Sequence, residues 1–224
     1  MQLKTILNRV ERHKCFVYGK SRLGSHGDGN GRIEVHIRLR KKSKPDCSCR
    51  GGKCGTYDYL GEGCLEYVPL WGMAVVFLYC MRRINCRRCG VKVQRVPWSA
   101  GKSPLTPSLV LFLADWAQAL SWQEVAHRFH VNWHQVFDSV RYVVEWGLAH
   151  REVSGVRAIG IDEVRFGKGQ RYLTVVHQLC GDVRYLPFVG PGRDSACLPA
   201  FFEEMGAPWC AGVAHVCTDM WQPI

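Results

Sequence analysis

Apolar and polar residues alternate most clearly between positions 32 and 40. Every second residue of this segment is apolar, namely Ile33, Val35, Ile37 and Leu39. Successive side chains of a β-strand point to opposite faces, so this period of two predicts a half-buried strand with a cationic outer face. That face could be a solvated sheet edge guarded by charge, or it could contact phosphate groups.

Two further apolar segments, residues 65–71 and 74–81, are separated by Gly72 and predict the two strands of a hairpin. Cysteines flank this hairpin in the sequence. Cys86 and Cys89 form a Cys-x-x-Cys knuckle after it. Three more cysteines precede it: Cys47, Cys49 and Cys54. Four thiolates from two such turns form the tetrahedral site of structural zinc.

The two cysteine groups predict a zinc ribbon over residues 45–98, in which a hairpin joins two knuckles. The second knuckle has the two-residue spacing that lets both thiolates face one ion. The first group lacks that spacing, so the sequence leaves open which two of Cys47, Cys49 and Cys54 complete the site. The alternative is a degenerate knuckle that binds no metal.

Residues 99–106 are polar and contain glycine and proline, which predicts a linker into a helical region. Within this region, Ser121 followed three residues later by Glu124 is the signature of a capping box at a helix start. A short helix, a turn at 130–132 and a longer helix predict a helix-turn-helix. Three polar residues near the turn are candidates for DNA contact: Arg128, His134 and Gln135. The alternative for them is a solvated helix face.

The last third of the chain follows the order strand, strand, strand, helix, strand. The corresponding segments are 156–164, 170–179, 183–189, 195–205 and 212–218. This is the opening order of the ribonuclease H-like fold, in which the first and fourth strands lie side by side. The whole chain is therefore predicted to be an α+β multi-domain protein that ends in an incomplete ribonuclease H-like α/β domain.

Asp162 lies at the end of the apolar run 158–161, and Asp219 lies at the end of the fourth predicted strand. A carboxylate in a low-dielectric core costs several kcal/mol unless a cation or hydrogen bonds compensate it. One interpretation is that Asp162 caps its strand or pairs with Arg165 or Arg193. The other is that the two acids meet on neighbouring strands and bind a divalent metal ion such as Mg²⁺.

The chain has 224 residues and a formal net charge of +11, and this charge is unevenly distributed. Residues 1–98 carry 20 Lys and Arg against 7 Asp and Glu, whereas residues 99–224 carry 10 against 12. A basic front half predicts a polyanion partner, and with the motifs above that partner is nucleic acid. Four arginines beside the second knuckle are candidates for phosphate contact: Arg82, Arg83, Arg87 and Arg88.

Cysteine usage and apolar runs predict the compartment. Twelve cysteines in a chain that begins without a secretory signal argue against a disulfide scaffold. No apolar run approaches the roughly 18 residues of a membrane span. We therefore predict a cytoplasmic, nucleoid-associated protein without membrane contact. Its four predicted regions are a basic N-terminal segment 1–44, the zinc ribbon 45–98, the helix-turn-helix 99–150 and the ribonuclease H-like region 151–224.

Six short sequence words occur in the order found in one family of bacterial enzymes. They are VPLWG (68–72), RRINCRRCG (82–90), LSWQEVA (120–126), IGIDE (159–163), GRD (192–194) and CTDMW (217–221). The chain thereby resembles the ISL-three family of insertion-sequence transposases, which are DDE enzymes with an N-terminal zinc ribbon. The resemblance implies that the front half binds double-stranded DNA at the transposon ends and that the back half performs Mg²⁺-dependent strand transfer. It also implies a homo-oligomer in the DNA complex.

Carried over residue by residue, the resemblance makes Asp162 the first catalytic carboxylate and Asp219 the second. The third acid of the family, a glutamate, lies well beyond the second, and here the sequence ends at Ile224. We therefore expect a fragment that binds Mg²⁺ weakly and performs little or no strand transfer. Whether the chain is an enzyme stays open at this stage. The competing hypothesis is a non-enzymatic, zinc-dependent DNA-binding protein that acts as a repressor or an inhibitor of transposition.

Overall fold

The structure, a computed structural model, describes residues 2–25, 31–99, 101, 103–181, 185–193 and 197–219. The chain forms two compact units, which comprise residues 1–149 and 150–224. Each unit contains both helices and a β-sheet, so the mixed α+β class is confirmed. Among the described residues, no helix is both long enough and apolar enough to cross a bilayer.

The first unit is built on one six-stranded sheet. Its elements begin with α1 (Leu3–Val10), β1 (Phe16–Ser25), β2 (Gly31–Leu39), β3 (Asp46–Cys47), β4 (Gly55–Leu70), β5 (Met73–Cys86) and β6 (Gly90–Arg95). The strand order is β1-β2-β5-β6-β3, and β4 also pairs with β5. β2 runs parallel to β5, whereas the other pairs are antiparallel. Residues 1–44 thus contribute strands to the same sheet as the predicted ribbon.

The alternating segment forms β2, as predicted, but it is not a sheet edge. β1 pairs with one side of β2 and β5 with the other, so the solvated-edge interpretation is wrong. Its apolar side chains are buried. Glu34 is buried too, and its charge is compensated because Arg22 Nε and Arg32 Nη2 lie 2.6 and 2.7 Å from its carboxylate oxygens. The hydrogen bond from Arg22, reinforced by that from Arg32, holds the pKa of Glu34 below its usual value.

β4 and β5 form the predicted hairpin, and both strands are longer than the apolar pattern indicates. Their tight turn consists of Trp71 and Gly72, whose φ angles are 52° and 79°. Positive φ at both central residues is the signature of a type I′ turn, whose twist matches that of two antiparallel strands. The apolar pattern does not predict the extra length of β4, because residues 55–64 are largely exposed.

The core of this sheet is rich in aromatic rings. Trp98 is fully buried, and its ring centroid lies 4.4 Å from that of Phe16 and 5.3 Å from that of Tyr79. Phe77, also fully buried, stacks on Tyr67 at 4.4 Å. Such ring pairs contribute about 0.5–1.5 kcal/mol each beyond the burial of their surface. The cluster therefore joins residues that are far apart in the sequence.

Three further helices lie in the described part of the first unit: α2 (Pro107–Trp116), α3 (Trp122–Phe129) and α4 (Trp133–His150), whose last residue already belongs to the second unit. Ser121 and Glu124 form the predicted capping box at the start of α3. At its end His130 adopts a left-handed conformation with a φ of 55°, which turns the chain toward α4. The helices pack around a core that includes Leu113 and Val125.

Within its described residues, the second unit contains a four-stranded sheet and two helices. Its elements are β7 (Ala158–Arg165), β8 (Tyr172–Gln178), β9 (Phe188–Pro191), α5 (Cys197–Met205), α6 (Ala207–Cys210) and β10 (His215–Thr218). The strand order is β10-β7-β8-β9, with β10 parallel to β7 and the other pairs antiparallel. The first and fourth strands are thus neighbours. α5 covers one face of the sheet, where Phe201 packs with Ile159 and Val176.

Two features of the second unit depart from the predicted order. The third strand, expected at 183–189, lies at Phe188–Pro191, and residues 182–184 are outside the described part of the chain. Helix α6 is not predicted, because a proline and flanking glycines are typical of a loop. Its Trp209 donates the indole N–H to the Val153 carbonyl at 2.9 Å, which ties this short helix to the start of the unit.

Candidate metal centres and nucleic-acid surface

Three thiols converge where β3, β5 and β6 meet. The Sγ atoms of Cys47, Cys86 and Cys89 all lie within 4.8 Å of one another. Cys47 ends β3 and is fully buried, Cys86 ends β5, and Cys89 directly precedes β6. Zinc–thiolate bonds of about 2.3 Å hold the sulfurs of a tetrahedral site about 3.8 Å apart. The three cysteines could therefore hold one metal ion.

Cys54 lies beside these thiols, whereas Cys49 is exposed. The Cys54 thiol donates to the Gly52 carbonyl at 3.5 Å, and burial together with the neighbouring thiols of Cys86 and Cys47 raises its pKa. A compact loop accommodates the irregular spacing, since the Gly51 N–H donates to the Cys47 carbonyl at 2.8 Å. The loop returns the chain to Cys47 across the six intervening residues. Cys47 belongs to the cluster, and Cys54 is the candidate for a fourth ligand.

The backbone of the second knuckle favours the metal-binding form of Cys86. The N–H groups of Arg88 and Cys89 donate to its sulfur and lower the pKa of Cys86 to about 6. Since only the thiolate binds metal, this sulfur is ready to bind an ion at neutral pH. Burial raises the pKa of Cys89 to about 11, so metal binding there must displace a proton.

The four arginines predicted to contact phosphate differ in how much of their charge is available. Arg87 and Arg88 are exposed within the second knuckle. Arg83 pairs with both carboxylate oxygens of Asp58. The Arg82 guanidinium lies over an exposed tyrosine ring, 5.0 Å from the ring centroid. The Asp58 pair depends on the register of β4 against β5, which the sequence pattern does not reveal.

The predicted DNA-contact residues of the helices are partly engaged in local structure. Gln135 Oε1 accepts the Asn132 N–H at 2.7 Å, and Asn132 Oδ1 accepts the His134 N–H at 2.9 Å. His134 and Gln135 thus take part in the cap at the start of α4. Arg128 is exposed in the last turn of α3.

Exposed aromatic residues lie on the same two helices, at positions that helical periodicity assigns to the core. Trp122 and Phe137 are 38% and 37% exposed, and their ring centroids are 5.2 Å apart. The Arg141 guanidinium lies 5.4 Å from the Phe137 ring. Periodicity identifies these residues as apolar, but it does not distinguish a buried side chain from one at the rim of a small core.

The two predicted carboxylates belong to neighbouring strands. In the β7–β10 ladder, Thr218 pairs with Ile161, so Asp219 and Asp162 are the next residues in register. Residues opposite one another in parallel strands point to the same face of the sheet. The ladder therefore brings both acids to one end and one face of the sheet.

Asp162 is exposed, in contrast to the low-dielectric position that its apolar run suggests. β7 is buried only over its first three residues, so the desolvation cost for this acid is small. Of the two arginines considered as partners, Arg165 donates to the Gly169 carbonyl at 3.1 Å. The Arg193 guanidinium lies 4.4 Å from the centroid of the Tyr172 ring. Asp162 lies inside β7, three residues before the strand ends, and its exposed carboxylate is accessible to both a metal ion and a substrate.

A histidine that the sequence analysis does not predict shares the face of the acids. β8 pairs His177 with Gly160, and a Cβ atom at Gly160 would come within 2.5 Å of His177 Nε2. Glycine is therefore required for the imidazole to lie where it does. Gly160 is two residues before Asp162, so the ring lies on the sheet face that carries the acids. A glycine opposite a bulky side chain is a signal only once the register is known.

Comparison with known proteins identifies the class. A family model of the ISL3 transposases, described as Transposase, matches residues 159–224, the segment that contains both acids. The transposase for insertion sequence element IS1557 from Mycobacterium tuberculosis, in strains CDC 1551 and H37Rv, is 33% identical over 198 residues. That match covers 86% of this chain and 43% of the relative. The transposase for IS1001 from Bordetella parapertussis is 25% identical over 204 residues, which is 91% of this chain and 50% of the relative.

The family model and these relatives show that the chain is similar to insertion-sequence transposases. The chain belongs to the ISL3 (ISL-three) family, as the six sequence words predict. It spans about half the length of the curated relatives that it matches. No solved structure gives a significant match. The relatives do not favour the alternative of a non-enzymatic repressor or inhibitor.

Proposed function

We propose that the chain is the DNA-binding and first catalytic portion of a DDE transposase, which joins transposon ends to target DNA. The observation that carries the proposal is the parallel β7–β10 ladder, which makes Asp162 and Asp219 neighbours in register. Three strands, a helix region and a fourth strand beside the first also agree with a ribonuclease H-like domain. The names of the relatives support the same reaction class.

The two acids suit Mg²⁺. Carboxylate oxygens are the ligands that this hard cation prefers, and both side chains are exposed. Bound Mg²⁺ lowers the pKa of an attacking water or 3′-hydroxyl and stabilises the departing oxygen of a phosphoryl transfer. The chain itself contributes the positioning, because a hydrogen-bonded ladder fixes the spacing of Asp162 and Asp219 before DNA arrives.

The first unit supplies the DNA-binding surface in this proposal. Residues 1–98 carry the excess of 13 positive charges, and Arg87 and Arg88 are exposed on the second knuckle. A structural Zn²⁺ would hold that knuckle rigid through four thiolates: those of Cys47, Cys54, Cys86 and Cys89. α3 and α4 would act as a helix-turn-helix, with Arg128 at the end of the first of its helices.

Divalent-metal binding tests the catalytic part of the proposal. We expect the chain to bind Mn²⁺, which takes the same oxygen ligands as Mg²⁺ and is visible by electron paramagnetic resonance. Asp162→Asn and Asp219→Asn should each weaken this binding by at least about tenfold, because each removes one of two charged ligands. Titration of free Mn²⁺ against each variant measures the effect.

Glu203→Gln is the matched control, because it removes the same charge from an exposed position on α5. Its Mn²⁺ affinity should equal that of the unmodified chain. Equal affinities in all four proteins would mean that the two aspartates do not form a common site, and the proposed catalytic role would then be wrong.

A further inference from the structure

A wide groove opens between the first turn of α1 and the β1–β2 pair. Its volume is about 1060 Å³. Among the described residues that line it, the charged side chains are all basic or imidazole: Lys4, Lys20, Arg22, His36 and Arg38. A cavity of this size and openness is a surface channel rather than a pocket for a small apolar ligand.

A β-bulge shapes one wall of the groove. The β1–β2 register passes from Tyr18 opposite Ile37 to Ser21 opposite Val35, so Gly19 and Lys20 together face the single residue His36. Bulges of this kind bend a strand and redirect its side chains. A Cβ atom on Gly19 would lie 3.1 Å from the His36 carbonyl oxygen, so glycine permits the close approach of the two strands.

Two of the five groups that line the groove have acidic neighbours. The Arg22 guanidinium is held by the buried carboxylate of Glu34 at 2.6 Å. His36 Nδ1 lies 3.4 Å from a carboxylate oxygen of Glu62. These contacts reduce the charge that Arg22 and His36 can offer to an outside partner.

The other three groups keep their charge available. Lys4, Lys20 and Arg38 are exposed, and within the described part of the chain none of them forms an ion pair. Three like charges around one groove repel each other, so an anion that enters is stabilised by all of them. They come from three separate elements, α1, β1 and β2, so their convergence depends on the fold rather than on a basic run of sequence.

We propose that this groove binds the phosphodiester backbone of double-stranded DNA. Lysine and arginine contact phosphate oxygens without reading the bases, and each such contact releases condensed counterions. The groove is an open channel lined by cations, and these properties suit contact with the phosphate backbone of DNA. This inference rests on the proposed DNA-binding function and adds a contact surface separate from the knuckle arginines and from α3–α4.

The test is the salt dependence of DNA affinity. Fluorescence anisotropy with a labelled duplex of random sequence, about 30 base pairs long, reports binding at several salt concentrations. In the triple variant Lys4→Gln, Lys20→Gln and Arg38→Gln, we expect affinity at low salt to fall at least about tenfold. The slope of log K against log salt should become shallower by about 2.7, which corresponds to three lost phosphate contacts.

Two matched variants make the test specific. Lys14→Gln, Lys41→Gln and Lys44→Gln remove three exposed charges outside the groove, and this control should keep most of the affinity and slope. Lys4→Arg, Lys20→Arg and Arg38→Lys preserve the charge and should retain binding. Circular dichroism of each variant verifies that the sheet is unchanged.

The outcomes separate the two proposals. If the unmodified chain binds DNA but the groove variant loses no more affinity than the control, the groove assignment is wrong and the proposed function stands. If the unmodified chain does not bind the duplex at low salt, both are wrong. Competition by polyglutamate as strong as competition by DNA would point to an acidic protein partner and would overturn the assignment to DNA.

Discussion

Replacing Cys86 by serine should abolish the proposed zinc binding and disorder the first sheet where β3, β5 and β6 meet. The Cys86 sulfur lies within 4.8 Å of those of Cys47 and Cys89, and the N–H groups of Arg88 and Cys89 lower its pKa to about 6. Structural zinc contributes about 10–16 kcal/mol of apparent binding free energy in small zinc domains. Native mass spectrometry measures the metal content, and hydrogen exchange in β5 and β6 measures the loss of order.

The cysteines of the first knuckle provide the control for this prediction. Cys54→Ser should reduce zinc content in the same way, whereas Cys49→Ser should leave it at one ion per chain because that thiol is exposed. The two residues lie in the same loop, so general damage to the loop would affect both variants. If Cys49→Ser loses zinc while Cys54→Ser retains it, the ligand set derived from the structure is incorrect.

Replacing Trp98 by alanine should lower the free energy of unfolding of the first unit by about 3–5 kcal/mol. The indole is fully buried and contacts Phe16 and Tyr79, so its loss removes apolar burial and leaves a cavity that the sheet cannot readily fill. Urea unfolding followed by circular dichroism measures the change.

Trp71→Ala is the matched control, since the same side chain is removed from a hairpin turn where it is 75% exposed. That variant should change the free energy of unfolding by less than about 0.5 kcal/mol. Similar losses from Trp98→Ala and Trp71→Ala would contradict the burial that the fold assigns to Trp98.

Local patterns predict much of the fold. The period of two identifies β2, Gly72 identifies the turn of the β4–β5 hairpin, and Ser121 with Glu124 identifies the start of α3. Each of these signals is carried by residues close together in the sequence. The neighbours of β2 are different, because parallel pairing with β5 joins segments about 40 residues apart and leaves no local mark.

The candidate sites likewise combine residues that local sequence patterns reveal with contacts that only the fold reveals. The Cys86 knuckle is recognisable from its cysteine spacing, and the acids Asp162 and Asp219 are recognisable from the strand-like segments that precede them. The remaining features depend on the fold. The β4–β5 register pairs Arg83 with Asp58, and the packing of α1, β1 and β2 brings the groove cations together. The exposure of Asp162 cannot be predicted from its apolar run either, because only the first three residues of β7 are buried.

The length of β5 sets the distance between the groove and the second knuckle. Leu78, near the middle of β5, pairs with His36 at the groove, and Cys86, the last residue of the strand, belongs to the cysteine cluster. Eight residues of extended chain span about 26 Å, and the arginines of the knuckle extend this distance toward the roughly 34 Å of one turn of B-DNA. The second half of β5 would thus separate two cationic surfaces, the groove and the knuckle, by about one turn of the duplex, so that both contact the phosphate backbone on one side of it. Hydroxyl-radical footprinting would then record two protected stretches about one helical turn apart.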